Sequence, residues 1–147
     1  MSDSIEKSIE LAVPIERAWH ALTDHQAFGT WFRVKLHGPF VVGETTTGEI
    51  TYPGHEGVKW KSVTEQMDAP RLFAFRWPHS EDPGADISSS PSMRVEFRLT
   101  PTTKGTHLTI KESGFESLPK DRREEALSRN EEGWEIQARN IKAFVEA

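Results

Sequence analysis

The sequence predicts an α+β domain: a curved antiparallel β-sheet wrapped around a long C-terminal α-helix, with two short helices after the first strand. Three observations carry this. Apolar and polar residues alternate through a series of β-prone runs in the middle of the chain. A 3.6-residue apolar stripe runs along the carboxy-terminal stretch. A second, shorter stretch of helical spacing lies directly behind the first β-prone run. The 147 residues are read as one domain spanning 1–147, a size that buries a core without disulfide or metal staples.

Taken in order, "SIEKSIELAV" places Ile5, Ile9, Leu11 and Val13 at odd positions, with Lys7 the exception, as a half-buried strand does. Pro14 suits the first position of a helix. Ile15, Ala18, Trp19 and Leu22 then form one apolar face over two turns. Asp24 is placed to cap a second short helix containing Phe28, which Gly29 is expected to loosen before Trp31 and Phe32. "GPFVVGETTTGEITYPGHEG" mixes short β-prone pieces with glycine and proline, the pattern of hairpins.

"VKWKSVTEQM" and "RLFAFRW" read as an antiparallel pair joined at "DAP", with Phe73, Phe75 and Trp77 on one face. In "SMRVEFRLTP", Met93, Val95, Phe97 and Leu99 point one way, and Arg94, Glu96 and Arg98 the other. "GTHLTIKESGF" continues the alternation with Leu108 and Ile110 inward. The polar stretch "PHSEDPGADISSSPS" has the length and composition of a flap. Pro119 opens the final helical region, expected as two pieces meeting near Asn130. Its inward stripe is Ala126, Leu127, Asn130, Gly133, Trp134, Gln137, Ala138, Ile141, Phe144 and Val145.

Composition removes several function classes. The net charge of -5 is spread along the chain without a basic stripe, so nucleic acid is not an expected partner. No cysteine is present, which excludes disulfides, thiolate metal sites and cysteine nucleophiles. His20, His25, His37, His55, His79 and His107 show no metal-ligand spacing, and no metal is expected. There is no G-x-S-x-G elbow and no phosphate or dinucleotide loop, so no cofactor is expected. Without a signal peptide or an apolar run long enough to span a bilayer, the expected location is cytoplasmic and no membrane partner is expected.

Four stretches taken together are similar to one family: "VPIERAWHALTDHQAFGTWF", "PRLFAFRW", "VEFRLTP…GTHLTIKESGF" and "NEEGW" before the last helix. They resemble the activator of heat-shock-protein-90 ATPase homologue-like family of the START-like (SRPBCC, birch-pollen-allergen-like, polyketide-cyclase-like) superfamily. The resemblance covers nearly the whole chain. It implies a helix-grip fold with a cavity between sheet and long helix. Members of the superfamily bind lipids, hormones or polyketides, a few are cyclases or hydrolases, and the namesakes stimulate a chaperone ATPase. Those namesakes carry an additional amino-terminal domain, for which 147 residues leave no room.

The residues suggest what lines such a cavity. Trp31, Phe32, Trp60, Phe75, Trp77, Phe97 and Trp134 supply rings from both short helices, the sheet and the last helix. Glu112 continues the inward register of Leu108 and Ile110. It is a candidate general acid or base, a ligand acceptor, or a structural acceptor at the strand end. Simple alternation leaves Arg76, Arg94 and Arg98 on the solvent face.

Asn130, Gly133 and Gln137 form a polar, side-chain-poor edge on the inward stripe. Gly133 either lets the helix bend or approach the sheet, or leaves space for a ligand beside Trp134. The leading expectation is a protein that binds an apolar or aromatic small molecule, gated by the segment from Pro78 to Pro91. The alternatives are a cavity enzyme using Glu112 with His79 or a water, and a regulator that contacts a heat-shock ATPase. The oligomeric state is open.

Overall fold

The computed structural model describes residues 4–78 and 92–147. Along the chain come β1 (Ile5–Leu11), α1 (Ile15–Thr23), α2 (His25–Phe32), β2 (Val34–Leu36), β3 (Thr45–Ile50) and β4 (Lys59–Asp68). β5 (Leu72–Pro78), β6 (Ser92–Thr102), β7 (Gly105–Ser113), a 3₁₀ turn (Phe115–Ser117) and α3 (Lys120–Glu146) follow. The strands form one antiparallel sheet in the order β1-β7-β6-β5-β4-β3-β2. The chain starts at one edge, crosses to the other through α1 and α2, and winds back strand by strand until β7 pairs with β1. The expected helix-grip architecture is the one observed: a curved sheet, two short helices, and a long helix against the concave face.

The alternation read from β6 and β7 holds. Met93, Val95, Phe97, Leu99, Leu108 and Ile110 are buried, as is Glu112 in the same register. The pairing of β4 with β5 shifts register between Thr64 and Gln66, leaving Glu65 as the extra residue. The "DAP" connection between β4 and β5 contains a cis Ala69–Pro70 bond. Phe28 of α2 is fully buried and meets Trp31, Phe32, Phe40, Trp60, Phe75 and Phe97, so the short helix anchors the aromatic core from one end.

Four local expectations change or sharpen. Pro14 and Pro119 each stand just outside their helix as the capping residue, and the Pro14 carbonyl accepts from Arg17 and Ala18. Asp24 caps α2 as expected, its side chain accepting from the Ala27 N–H at 2.9 Å. Gly29 does not loosen α2, which runs on through Phe32. A Cβ at Gly29 would come within 2.4 Å of the Val34 carbonyl oxygen, so the glycine lets β2 begin directly against the helix. The last helical region is not two pieces but one helix of 27 residues.

The carboxy-terminal end of α3 is tied to the first strand and helix by polar contacts. Arg17 Nε donates to the Val145 carbonyl at 2.7 Å, Lys142 Nζ to the Glu10 carbonyl at 2.8 Å, and the Ala12 N–H to Glu146 at 2.9 Å. Ala126, Trp134, Ala138, Ile141 and Val145 of the inward stripe are buried. Asn130, Gly133 and Gln137 are only half-buried, because the stripe there faces a space rather than the sheet.

Candidate functional site

Between the middle of α3 and the sheet lies a cavity of about 370 Å³. Its walls are Phe32 at the end of α2, Trp60 on β4, Trp77 and Pro78 on β5, Met93 on β6, and Trp134 with Gly133 on α3. Four of these rings enclose one another: Trp77 stacks on Trp134 at 5.7 Å, Trp60 meets Trp77 edge-on at 5.3 Å, and Phe32 meets Trp60 edge-on at 5.2 Å. Among the described residues a side chain is missing from this wall only at Gly133, where an added Cβ would touch nothing within 4 Å. Close approach of the helix to the sheet therefore does not account for this glycine among the described residues.

The indole N–H groups of the wall, and the side-chain amides of Asn130 and Gln137, donate to protein partners. Trp77 Nε1 donates to Glu112 Oε2 at 2.7 Å and Trp134 Nε1 to Glu112 Oε1 at 2.9 Å. Asn130 Nδ2 also donates to Glu112 Oε1, at 3.1 Å. Trp60 Nε1 donates to Ser62 Oγ at 3.0 Å. Gln137 donates to the Phe32 carbonyl at 3.1 Å and accepts from Asn140. With the indole N–H groups satisfied from behind, the cavity is faced by ring carbon and by Ile50, Val58 and Met93.

Glu112 itself is fully buried and lies behind the tryptophans, not on the cavity wall. Burial pushes its carboxyl above the usual value, while the bonds from Trp134, Trp77 and Asn130 and the charge of Arg129 pull back without cancelling the rise. A buried carboxyl accepting from two indoles fixes both ring planes.

Of the residues singled out from the sequence, Phe32, Trp60, Trp77, Asn130, Gly133, Trp134 and Gln137 meet at the cavity. Trp31, Phe75 and Phe97 lie in the packed core instead. Trp31 is committed to joining the short helices through its N–H to the Ala21 carbonyl, at 2.8 Å. Phe75 and Phe97 are fully buried against Phe28 and Phe73.

The sequence reading missed the mouth, where exposed His55, Val58, Lys59 and Arg129 and half-buried Lys61 contribute to the lining. Lys59 and Lys61 flank inward-facing Trp60, so alternation alone assigns them to solvent. His79 and the expected gate beyond Pro78 lie outside the described residues. Among the described residues, no group of three or more His, Asp or Glu could hold a metal ion, and no helix is long and apolar enough to cross a membrane.

Residues 12–146 match the family model described as Activator of Hsp90 ATPase homolog 1-like protein. The chain belongs to that family. Solved structures share the family architecture. Protein MLL2253 from Mesorhizobium loti is 21% identical with a TM-score of 0.78, over 97% of this chain and 96% of that one. Protein NE0264 from Nitrosomonas europaea is 17% identical with a TM-score of 0.77, over 99% of this chain and 96% of that one. DynU16, a protein in the dynemicin biosynthetic locus, is 19% identical with a TM-score of 0.77 over all of this chain, which spans 48% of DynU16. At these identities the likeness is one of fold. No curated protein sequence matches the chain.

Proposed function

We propose that this family member binds an apolar, ring-bearing small molecule between α3 and the concave face of the sheet. The observation that carries the proposal is the cavity itself: about 370 Å³, walled by Phe32, Trp60, Trp77 and Trp134, with Gly133 leaving open space. That volume falls within the range of small-molecule sites, roughly 300–1,000 Å³. Flat rings suit it because the wall offers aromatic faces whose N–H groups are already engaged. Glu112 supports binding at one remove by holding Trp77 and Trp134 in their stacked geometry.

Both of its oxygens already accept from N–H donors, and it does not reach the cavity surface, which argues for binding over acid–base turnover. The test is a fluorescence titration of the wall tryptophans with a panel of one- to three-ring aromatic compounds. Saturable changes are expected for the wild type. They should be lost in Gly133→Leu, which places a side chain in the open space, while its denaturation midpoint shows that the fold survives. No saturable response from any compound, with no small molecule retained in native mass spectra of protein purified from its own host, would rule the proposal out.

A further inference from the structure

The polar edge of α3 has two ends, and they are not equivalent. Asn130, Gly133 and Gln137 follow one another along a single face of the helix, and all three line the cavity. Gln137 is committed at both atoms of its amide: Nε2 donates to the Phe32 carbonyl and Oε1 accepts from Asn140 Nδ2, each at 3.1 Å. Asn130 is committed at one. Its Nδ2 donates to Glu112 Oε1 behind the wall, and no donor among the described residues reaches its Oδ1.

That oxygen is accessible rather than sealed in. Among the described residues the buried side-chain atoms without a partner are Thr64 Oγ1 and Arg123 Nε, and Asn130 is half-buried. A molecule filling the cavity changes its surroundings. A ring laid against the bare backbone of Gly133 is one helical turn from Asn130 and covers the amide. Oδ1 then loses contact with water, and gains a partner only if the ring carries a donor.

Taking the cavity as the ligand site proposed above, the structure assigns Asn130 Oδ1 as an acceptor for the ligand, which is an arene bearing a neutral O–H donor of the phenol kind. The hydroxyl lies beside Asn130, towards the amino-terminal end of α3. The unsubstituted end of the ring system lies towards Gln137 and Phe32, whose amide and carbonyl are paired with each other. The donor is neutral because no aspartate or glutamate lines the cavity among the described residues, and both oxygens of Glu112 already accept. An ether or a plain hydrocarbon of the same outline would cover Oδ1 without satisfying it, and a site built on such a bond discriminates against them.

The experiment titrates 2-naphthol and 2-methoxynaphthalene into the full chain and follows both by protein NMR. It is run at about pH 7, well below the value of about 10 at which a phenol ionises. In wild type 2-naphthol is expected to bind about tenfold tighter and to move the Asn130 side-chain amide signals. The ratio of the two affinities should fall about tenfold in Asn130→Ala. Comparing ratios cancels what the probes' different size and hydrophobicity contribute in both proteins. The backbone amide spectrum reports the fold of the variant, and Asn130→Leu, closer in size, takes its place if the alanine form does not fold.

A ratio unchanged by the substitution overturns the inference and leaves the cavity reading standing, as does wild type that binds 2-naphthol no tighter than the ether. No saturable response to 2-naphthol, with other aromatic compounds of the wider panel bound, also overturns the inference alone. If that panel fails too, both fall together.

Discussion

Glu112 and Glu96 occupy neighbouring strands and opposite faces of one sheet, and they are solvated in opposite ways. Glu112 follows the inward register of β7, opposite Val95, and is fully buried. Its donors are two indoles and an amide, none of which carries a charge. Glu96 faces outward on β6, opposite Lys111, and bridges Arg94 and Arg98. Burial pushes both carboxyls upward. For Glu112 it prevails, whereas for Glu96 the bonds and charges of Arg98 and Arg94 outweigh it and hold the group below its usual range.

The same side chain thus does two jobs. On the concave face it turns ring N–H groups away from a cavity. On the convex face it spaces a row of arginines, in which Glu65 likewise takes Arg76 at 2.9 Å and Arg94 at 3.0 Å.

The comparison breaks most sharply at Glu112. Glu112→Leu leaves the buried Trp134 N–H without an acceptor and frees Trp77 and Asn130, at a cost of about 3 kcal/mol at neutral pH. The check is the shift in urea midpoint at constant slope. A loss below about 1 kcal/mol would mean that water replaces the carboxyl at both indoles.

The pH dependence has a definite sign. Because the folded-state value is raised above 4.5, the protonation-linked part of the Glu112 contribution is fully present below that pH and is lost as pH rises through the raised value, while the bonds from Trp77, Trp134 and Asn130 remain. In Glu112→Leu this slope above pH 4.5 should vanish.

Gly133→Ala gives a smaller effect of opposite sign. The added Cβ meets nothing within 4 Å, and the residue lies inside a continuous helix. Stability should therefore rise by about 0.5–1 kcal/mol through helix propensity alone. A thermal or urea midpoint that falls instead would show that the glycine is needed for the course of the helix, and would return the cavity wall to the list of packed surfaces.

The sequence was legible where one periodicity decides the outcome. Alternation in β6 and β7 placed Val95, Phe97, Leu108 and Ile110 inward and carried Glu112 with them. The 3.6 spacing put Gly133 and Trp134 on one face of α3, and Asp24 announced its cap. What periodicity cannot supply is depth. Phe75 and Trp77 share a strand face, yet Phe75 is sealed under Phe28 while Trp77 lines the cavity.

The partners of Glu112 lie 35, 22 and 18 residues away, on β5 and α3, so its hydrogen bonds exist only once sheet and helix meet. The mouth was hidden for a different reason. Lys59 and Lys61 carry the outward signature of a solvated strand face, and nothing local marks that this part of the strand borders an opening.

Glu96→Gln tests the other side of the comparison and should change least. Its arginine partners stand partly in solvent, Arg98 more than Arg94, so screening reduces what each pair contributes. The expected loss at neutral pH is about 0.5 kcal/mol or less, shrinking further in salt. The sign is the reverse of that for Glu112. A carboxyl held below 4.5 contributes stability that is present above that pH and is lost as pH falls through the lowered value.

Glu96→Gln should therefore flatten part of the acid limb and leave the slope above pH 4.5 unchanged. The flattening is partial because Glu146 too is held below its usual value, by Lys142 and the Ala12 N–H. Urea midpoints measured from pH 3 to 8 for wild type, Glu96→Gln and Glu112→Leu would separate the two limbs. If Glu96→Gln altered the upper limb as well, the two faces of the sheet would be coupled through β6 and β7. The division of labour between their carboxylates would then not hold.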